Sequence, residues 1–316
     1  MTNLKKIGLT ALAGSLVVTS AFAGELTATG AASMGFAQIN GTADDGRGKD
    51  LSMGNSIYLA GSGELDNGLN VSISFELDNG KESDGGGVGP FDNHYVELSS
   101  DALGTLRMSG HGGSSAQSKM DTTAAGDLWN NTLGMTGTIK SAAAGNNSLY
   151  YTLPTLMDDL TLTASYAPGR AAVADTNTHT SLGAVYEGVE GLTLKYGQGD
   201  SGTKLLERTT TTMMASYAIS SFTLSVSDTE EDNVGNDRSV RSYEIAYTVS
   251  DDISVTYGTE DFELEGNSVD EEVTGFGVSY TTGGMTITGA MIDVEGAANV
   301  AAADTDKWSL TAAFAF

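Results

Sequence analysis

The chain is rich in side chains that carry charge and poor in those that make and break bonds. It holds 41 Asp and Glu residues against 15 Lys and Arg, with 3 His, no Cys and a net charge of −26. His94, His111 and His179 are scattered and show none of the short spacings that gather zinc. No Gly-x-Ser-x-Gly element and no phosphate-cradling glycine loop is present, so no catalytic residue is expected. Paired carboxylates can be picked anywhere in so acidic a chain and mean little. Two acidic runs, Asp228 with Glu230, Glu231 and Asp232, and Asp270 with Glu271 and Glu272, offer oxygen ligands to Ca²⁺ or Mg²⁺. They lack twelve-residue calcium-loop spacing, and such runs are ordinarily solvated. Phosphate would be repelled, which excludes nucleic acid as a partner.

The elements that must position these charges are strands. From Gly24 onward apolar residues alternate at period two, the mark of a sheet with one apolar face. Leu69, Val71, Ile73, Phe75 and Leu77 form one series, and Phe276, Val278 and Tyr280 another; Trp308, Leu310, Ala312, Phe314 and Phe316 close the chain in the same way. The opposite face is Ser, Thr, Asn, Gly and Glu. Glu64, Glu76, Arg107, Lys195 and Glu244 fall on that polar side. Tyr151, Tyr186, Tyr217, Tyr247 and Tyr280 recur about every thirty to thirty-five residues, each before a short turn. Longer polar segments, including 228–238 and 260–272, are expected as loops at the other strand ends. Pro90, Pro154 and Pro168 fall in expected loops or turns, where an antiparallel ladder tolerates a missing donor.

Sixteen strands are expected, with centres running from near residue 32 to near residue 311. Short turns on one side, long loops on the other and tyrosines at the short-turn end predict an all-β, transmembrane antiparallel β-barrel. Sixteen strands leave an aqueous channel, whereas eight would fill with side chains.

The chain ends support export. Lys5 and Lys6 precede an apolar stretch from Ile7 to Val18, and Ala21-Phe22-Ala23 closes the segment. Residues 1–23 are therefore expected to be a signal peptide cut between Ala23 and Gly24, leaving 24–316 as the barrel. An N-terminal membrane anchor is the alternative, although the apolar stretch is short for a bilayer. Loss of those 23 residues, Lys5 and Lys6 among them, leaves 293 residues and takes the charge from −26 to −28. Without cysteine, stability must come from backbone pairing and burial.

Several segments resemble Gram-negative general porins. Tyr58-Leu59-Ala60-Gly61-Ser62-Gly63-Glu64-Leu65, with Gly68-Leu69 and Phe75-Glu76, is similar to the family's second hairpin. Tyr95-Val96-Glu97-Leu98 with Leu103-Gly104-Thr105-Leu106 resembles the next hairpin, and Asn147 to Pro154 resembles the strand re-entering after the third loop. Phe316 resembles the terminal signature read by the barrel-assembly machinery. The resemblance implies a sixteen-stranded homotrimer in outer-membrane lipid that passes small hydrophilic solutes and cations. It also implies a third loop, about 112–146, that folds inward; an exposed, mobile outer loop is the alternative. That segment carries Lys119, Asp121, Asp127, Trp129 and Lys140. The chain departs from the family where wall arginines are usual: Tyr58, Asp92 and Gly110 stand at those places, with Arg107 as partial substitute.

A negative lumen raises local cation concentration, so cation preference is expected. On the first strand, Ala28, Gly30 and Ala32 face outward and form either a subunit contact or a weakly lipophilic wall. Two further readings stay open. One is a substrate-specific channel with Tyr58, Tyr150 and Trp129 along its lumen. The other is a secreted calcium-binding all-β adhesin or surface-layer protein.

Overall fold

The structure, a computed structural model, describes residues 26–41, 48–78, 92–120, 139, 141–142, 145–169, 177–202 and 207–316. The expected signal segment with Ala23 and Gly24 lies outside the described residues, as do Asp121, Asp127, Trp129 and Lys140 of the third loop.

The first eight strands are β1 (Leu26–Gly41), β2 (Gly48–Glu64), β3 (Asn70–Asp78), β4 (His94–Ser100), β5 (Gly104–His111), β6 (Ser148–Thr152), β7 (Leu160–Ala167) and β8 (His179–Val189). The second eight are β9 (Leu192–Gly202), β10 (Glu207–Ile219), β11 (Phe222–Asn233), β12 (Arg238–Ser250), β13 (Ile253–Leu264), β14 (Glu271–Thr282), β15 (Met285–Glu295) and β16 (Thr305–Ala315). Each pairs antiparallel with its neighbours in sequence, and β16 returns to β1, so the sheet closes as a barrel. At the seam, the Gly30 N–H donates to the Phe316 carbonyl at 2.6 Å, and the Phe316 N–H donates to the Gly30 carbonyl at 3.0 Å. Closure leaves no row of unpaired backbone groups, the condition for a sheet to cross hydrocarbon. Each of the sixteen expected strand centres lies within an observed strand.

The faces are inverted relative to a water-soluble sheet. On β11, Phe222, Leu224 and Val226 point outward and remain 44%, 47% and 37% exposed, while Ser225, Ser227 and Thr229 between them point inward and are buried. The register carries this pattern around the wall: inward Ser225 lies opposite Ser216 and Glu244, and outward Leu224 lies opposite Tyr217 and Ile245. So continuous an exposed apolar band is stable only against lipid. Tyr151, Tyr186, Tyr217, Tyr247 and Tyr280 all share outward registers at the short-turn ends of their strands. They sit as an interfacial girdle should, with ring toward lipid and hydroxyl toward the wet turn. Phe222 and Tyr247 pack 4.7 Å apart within it. The turns are tight. At Gly191, between β8 and β9, φ is +78°, and a Cβ would stand 2.3 Å from the Ala218 carbonyl oxygen, so only glycine fits.

One expectation is corrected. Residues 228–238 and 260–272 are mostly strand, because β11 runs to Asn233, β13 to Leu264, and β14 starts at Glu271. The true connections are 234–237 and 265–270. The acidic residues belong to strand ends that project beyond the apolar band: Asp228, Glu230 and Asp232 continue the outward row of Phe222, Leu224 and Val226. Period-two polarity was obscured there because both faces turn polar once outside hydrocarbon. On the inner side near this loop end, Val273, Ile292 and Val294 cluster with Ala297 and Ala303.

Candidate functional site: the barrel lumen and its third loop

The wall charges follow from the register. Glu244 faces the lumen opposite Ser225, and Lys195 shares an inward row with Met214 and Ser227. Glu76 lies opposite Tyr58, Glu64 opposite Asn70, and Arg107 between Glu97 and Tyr150. All five wall charges read from alternation therefore point inward. They are not one cluster. Glu64 sits at the short-turn mouth, while Glu244 on β12 lies eight strands from β4, across the barrel.

One sector gathers the most chemistry. The Arg107 guanidinium donates to Glu97 Oε2 through Nε at 2.8 Å and Nη2 at 2.7 Å. The same group stacks over the Tyr95 ring, 4.0 Å from its centroid. Lys119, from the third loop, shares a lumen recess with this pair and with Tyr150. Beside it, Glu76 is buried and held by neutral donors: the Tyr58 hydroxyl at 2.7 Å from Oε1 and Asn93 Nδ2 at 2.6 Å from Oε2. Asp92, at one of the positions where the resemblance implies arginine, contacts His111 Nδ1 at 2.9 Å. Gly110, at another, faces outward beside the His94 ring.

On the far wall, Arg208 Nε lies 3.0 Å from Glu231 Oε1, and Glu231 is fully buried. Sequence reasoning missed this pair because it placed Glu231 in a loop. Glu97 was legible, since it alternates with Val96 and Leu98, but only the register brings Arg107 beside it. Of the acidic run, Asp228 faces outward and binds Arg241, while Glu231 faces inward. Alternation thus splits the run between two sides of the sheet. Among the described residues no group of three or more His, Asp or Glu is gathered as a metal site would require.

The described part of the third loop turns into the barrel. Ala116 N–H donates to Ser181 Oγ at 2.8 Å and to Ser165 Oγ at 3.0 Å, and both serines lie on the inner faces of β8 and β7. Ser115, Ala116, Gln117 and Met120 are buried, whereas Lys119 is exposed to the lumen. These residues lie against the inner wall formed by β7 and β8.

Both rims are acidic in different ways. The seven short turns contain Asp66, Asp101, Asp158, Asp159, Glu190, Asp251 and Asp252, and no Lys or Arg. At the loop end the outward strand extensions carry Asp261, Glu272, Asp293, Glu295 and Asp306.

A family model described as Gram-negative porin matches residues 8–315. Among solved structures, a porin refined at 1.8 Å is 18% identical, with a TM-score of 0.68 over 92% of this chain and 100% of that one. A loop L8 deletion mutant of OmpT, an outer membrane protein of Vibrio cholerae, is 14% identical, with a TM-score of 0.70 over 93% and 100%. A mutant of Rh. blastica porin is 13% identical, with a TM-score of 0.67 over 92% and 100%. Identities this low carry the fold alone. The comparison with curated protein sequences gives no match. The closed barrel with lipid-type outer face and the family match do not favour the secreted adhesin or surface-layer reading. On the family match over residues 8–315, the chain belongs to the Gram-negative porin family, and its barrel resides in the bacterial outer membrane.

Proposed function

We propose that the protein is a passive diffusion channel for small hydrophilic solutes and ions, with a preference for cations. The observation that carries the sign is how the lumen charges are compensated. Arg107 and Arg208 each face a carboxylate, Glu97 and Glu231, whereas Glu76 is held by neutral donors, Tyr58, Asn93 and Ser56 among them. Hydrogen bonds from neutral donors leave the carboxylate its full charge. The acidic turn ring and the acidic outer rim add potential of the same sign at both mouths. Cations are concentrated and anions depleted along the route.

This reading has no catalytic step. It includes cleavage of the leader after Ala23 and recognition of Phe316 by the barrel-assembly machinery. It also includes a homotrimer whose contact is the small-residue stripe Ala28, Gly30 and Ala32, which lies opposite Leu59, Ile57 and Asn55 of β2. Of the aromatics that would form a slide, Tyr58 is engaged by Glu76, Tyr150 lies opposite Arg107 and Trp129 lies outside the described residues, which favours general diffusion over a slide for one substrate. The test is the reversal potential in a KCl gradient across a planar bilayer. A potential of the sign for K⁺ over Cl⁻ is expected; a clear Cl⁻ preference overturns the reading.

A further inference from the structure

Three glycines interrupt the inner wall at one level. Gly183 on β8 lies directly opposite Gly197 on β9, and Gly199 lies opposite Ser181. Glycine weakens a strand and is kept where another backbone approaches closely. Here the third loop approaches all three. A Cβ on Gly183 would stand 2.8 Å from the Ala116 carbonyl oxygen, one on Gly197 2.9 Å from Gln117 Cα, and one on Gly199 2.7 Å from Ala142 Cβ. Neighbouring wall side chains add to the crowding: a Cβ on Gly183 would also stand 2.6 Å from Thr163 Oγ1, and one on Gly199 would also meet Ser181. These are contacts that real Cβ atoms essentially never make. Two of the blocking atoms belong to loop backbone and cannot swing aside as a side chain would.

Into this seat drops Gln117, whose side chain is fully buried. Its Nε2 donates to Thr212 Oγ1 at 2.8 Å, and its Oε1 accepts from the Ala142 N–H at 2.7 Å. Thr212 is itself paired with Thr229 at 2.9 Å. A single amide thus joins three things: the outgoing limb of the loop at residue 117, the returning limb at residue 142, and the wall at β10. Buried amides with both ends satisfied specify one arrangement, because any other leaves a donor or acceptor unpaired. Met120 fills the space over Gly183 and Gly197.

We propose that Gln117, seated on the Gly183–Gly197–Gly199 track, is the positioning residue that latches the third loop inside the barrel and thereby fixes the size limit of the pore. The proposal rests on the channel reading for its functional consequence, but the latch is measurable without it. Releasing the amide unties the returning limb at residue 142 from the wall and leaves the outgoing limb on its backbone bonds to Ser165 and Ser181, so the loop loosens and the pore widens together.

The chain has no Cys, so Met120→Cys serves as a single reporter of loop seating in the full-length refolded protein. Met120 is 4% exposed, and M120C is expected to resist a water-soluble maleimide. Adding Gln117→Leu, close in size but without either hydrogen bond, is expected to raise the labelling rate about tenfold, the factor that loss of one to two net hydrogen bonds gives a local opening equilibrium. Adding Gly197→Val should do the same by filling the seat. Gln117→Asn, which keeps the amide one methylene short, should fall between. Gly289→Val is the control: Gly289 has nothing within 4 Å of its would-be Cβ and faces outward. In liposome swelling, Q117L and G197V should admit larger sugars than the parent, and G289V should not.

Retained heat-modifiable gel mobility identifies folded barrels; should G197V not fold, the two Gln117 variants decide. Folded variants with the parent's labelling rate and sugar cut-off overturn the latch, as does rapid labelling of M120C alone. A parent that labels slowly but passes no sugar would instead sink the channel reading and leave the latch standing.

Discussion

Glu76 and Glu97 are both inward carboxylates on neighbouring strands, yet their surroundings give them different tasks. Glu97 is spent on Arg107, and the pair presents little net charge to a passing ion. Glu76 is braced by Tyr58 and Asn93 and keeps its charge. Glu76→Gln is therefore expected to lower the cation-to-anion permeability ratio by about two- to threefold. One unit charge ~7 Å away in water shifts cation and anion oppositely, about sevenfold in their ratio, and salt at about 0.1 M screens roughly half of that energy. Arg107→Gln should raise the ratio by a similar factor, because Glu97 is left uncompensated. Zero-current potentials measured on the two variants give both signs, and equal shifts in one direction would contradict the assignment. At this scale the sequence was half legible. Alternation assigned Glu64, Glu76, Arg107, Lys195 and Glu244 to the lumen, because side-chain direction is a local property of a strand. Which charge meets which partner depends on the register between paired strands and on how far each strand runs, as with Arg208 on β10 and Glu231 on β11. No local pattern encodes that.

At the scale of the element, one residue decides which solvent a side chain meets. Leu224 faces lipid and Ser225 the lumen, one step apart on β11. Leu224→Arg is expected to destabilise the barrel by about 2–4 kcal/mol, the cost of a guanidinium near the bilayer midplane. Ser225→Arg should cost little stability and instead reduce single-channel conductance, because it crowds the water path. Urea unfolding in lipid separates the two; equal destabilisation would mean that the faces are misassigned. Strand centres were readable because hydrocarbon outside and water inside impose strict alternation over each crossing. Strand ends were not, as Asp228 to Asp232 show. Beyond the bilayer no apolar face is required, yet the backbone ladder continues. The third loop illustrates a further limit. Its length was visible, but Gln117 and the three glycines that seat it carry no periodic signal. Only a spatial neighbour explains why Gly183, Gly197 and Gly199 lack side chains.

At the scale of the whole molecule, the wall is uneven. Most outward positions carry large apolar residues, but β1 presents Ala28, Gly30 and Ala32, with Gly30 lying against the Phe316 ring. A stripe so small gains little from lipid and much from close approach of another wall. Unheated gel migration and native mass measurement are expected to show a trimer that falls to monomer on heating. Gly30→Trp should weaken that assembly while leaving monomeric barrels heat-modifiable. Monomer alone in the parent protein would show that β1 faces lipid.

The seam at which Phe316 and Gly30 exchange backbone hydrogen bonds turns the sheet into a ring without ends, and this separates what holds the molecule up from what it transmits. Main-chain pairing needs no particular side chain, and the hydrocarbon band asks only for greasiness. Inward positions away from the third-loop seat are then at liberty to drift through Ser, Thr, Gly, Asn or Glu with little structural penalty. A solved outer membrane protein can share a TM-score of 0.70 at 14% identity because the hoop asks for so little of the sequence and leaves its bore open to retuning.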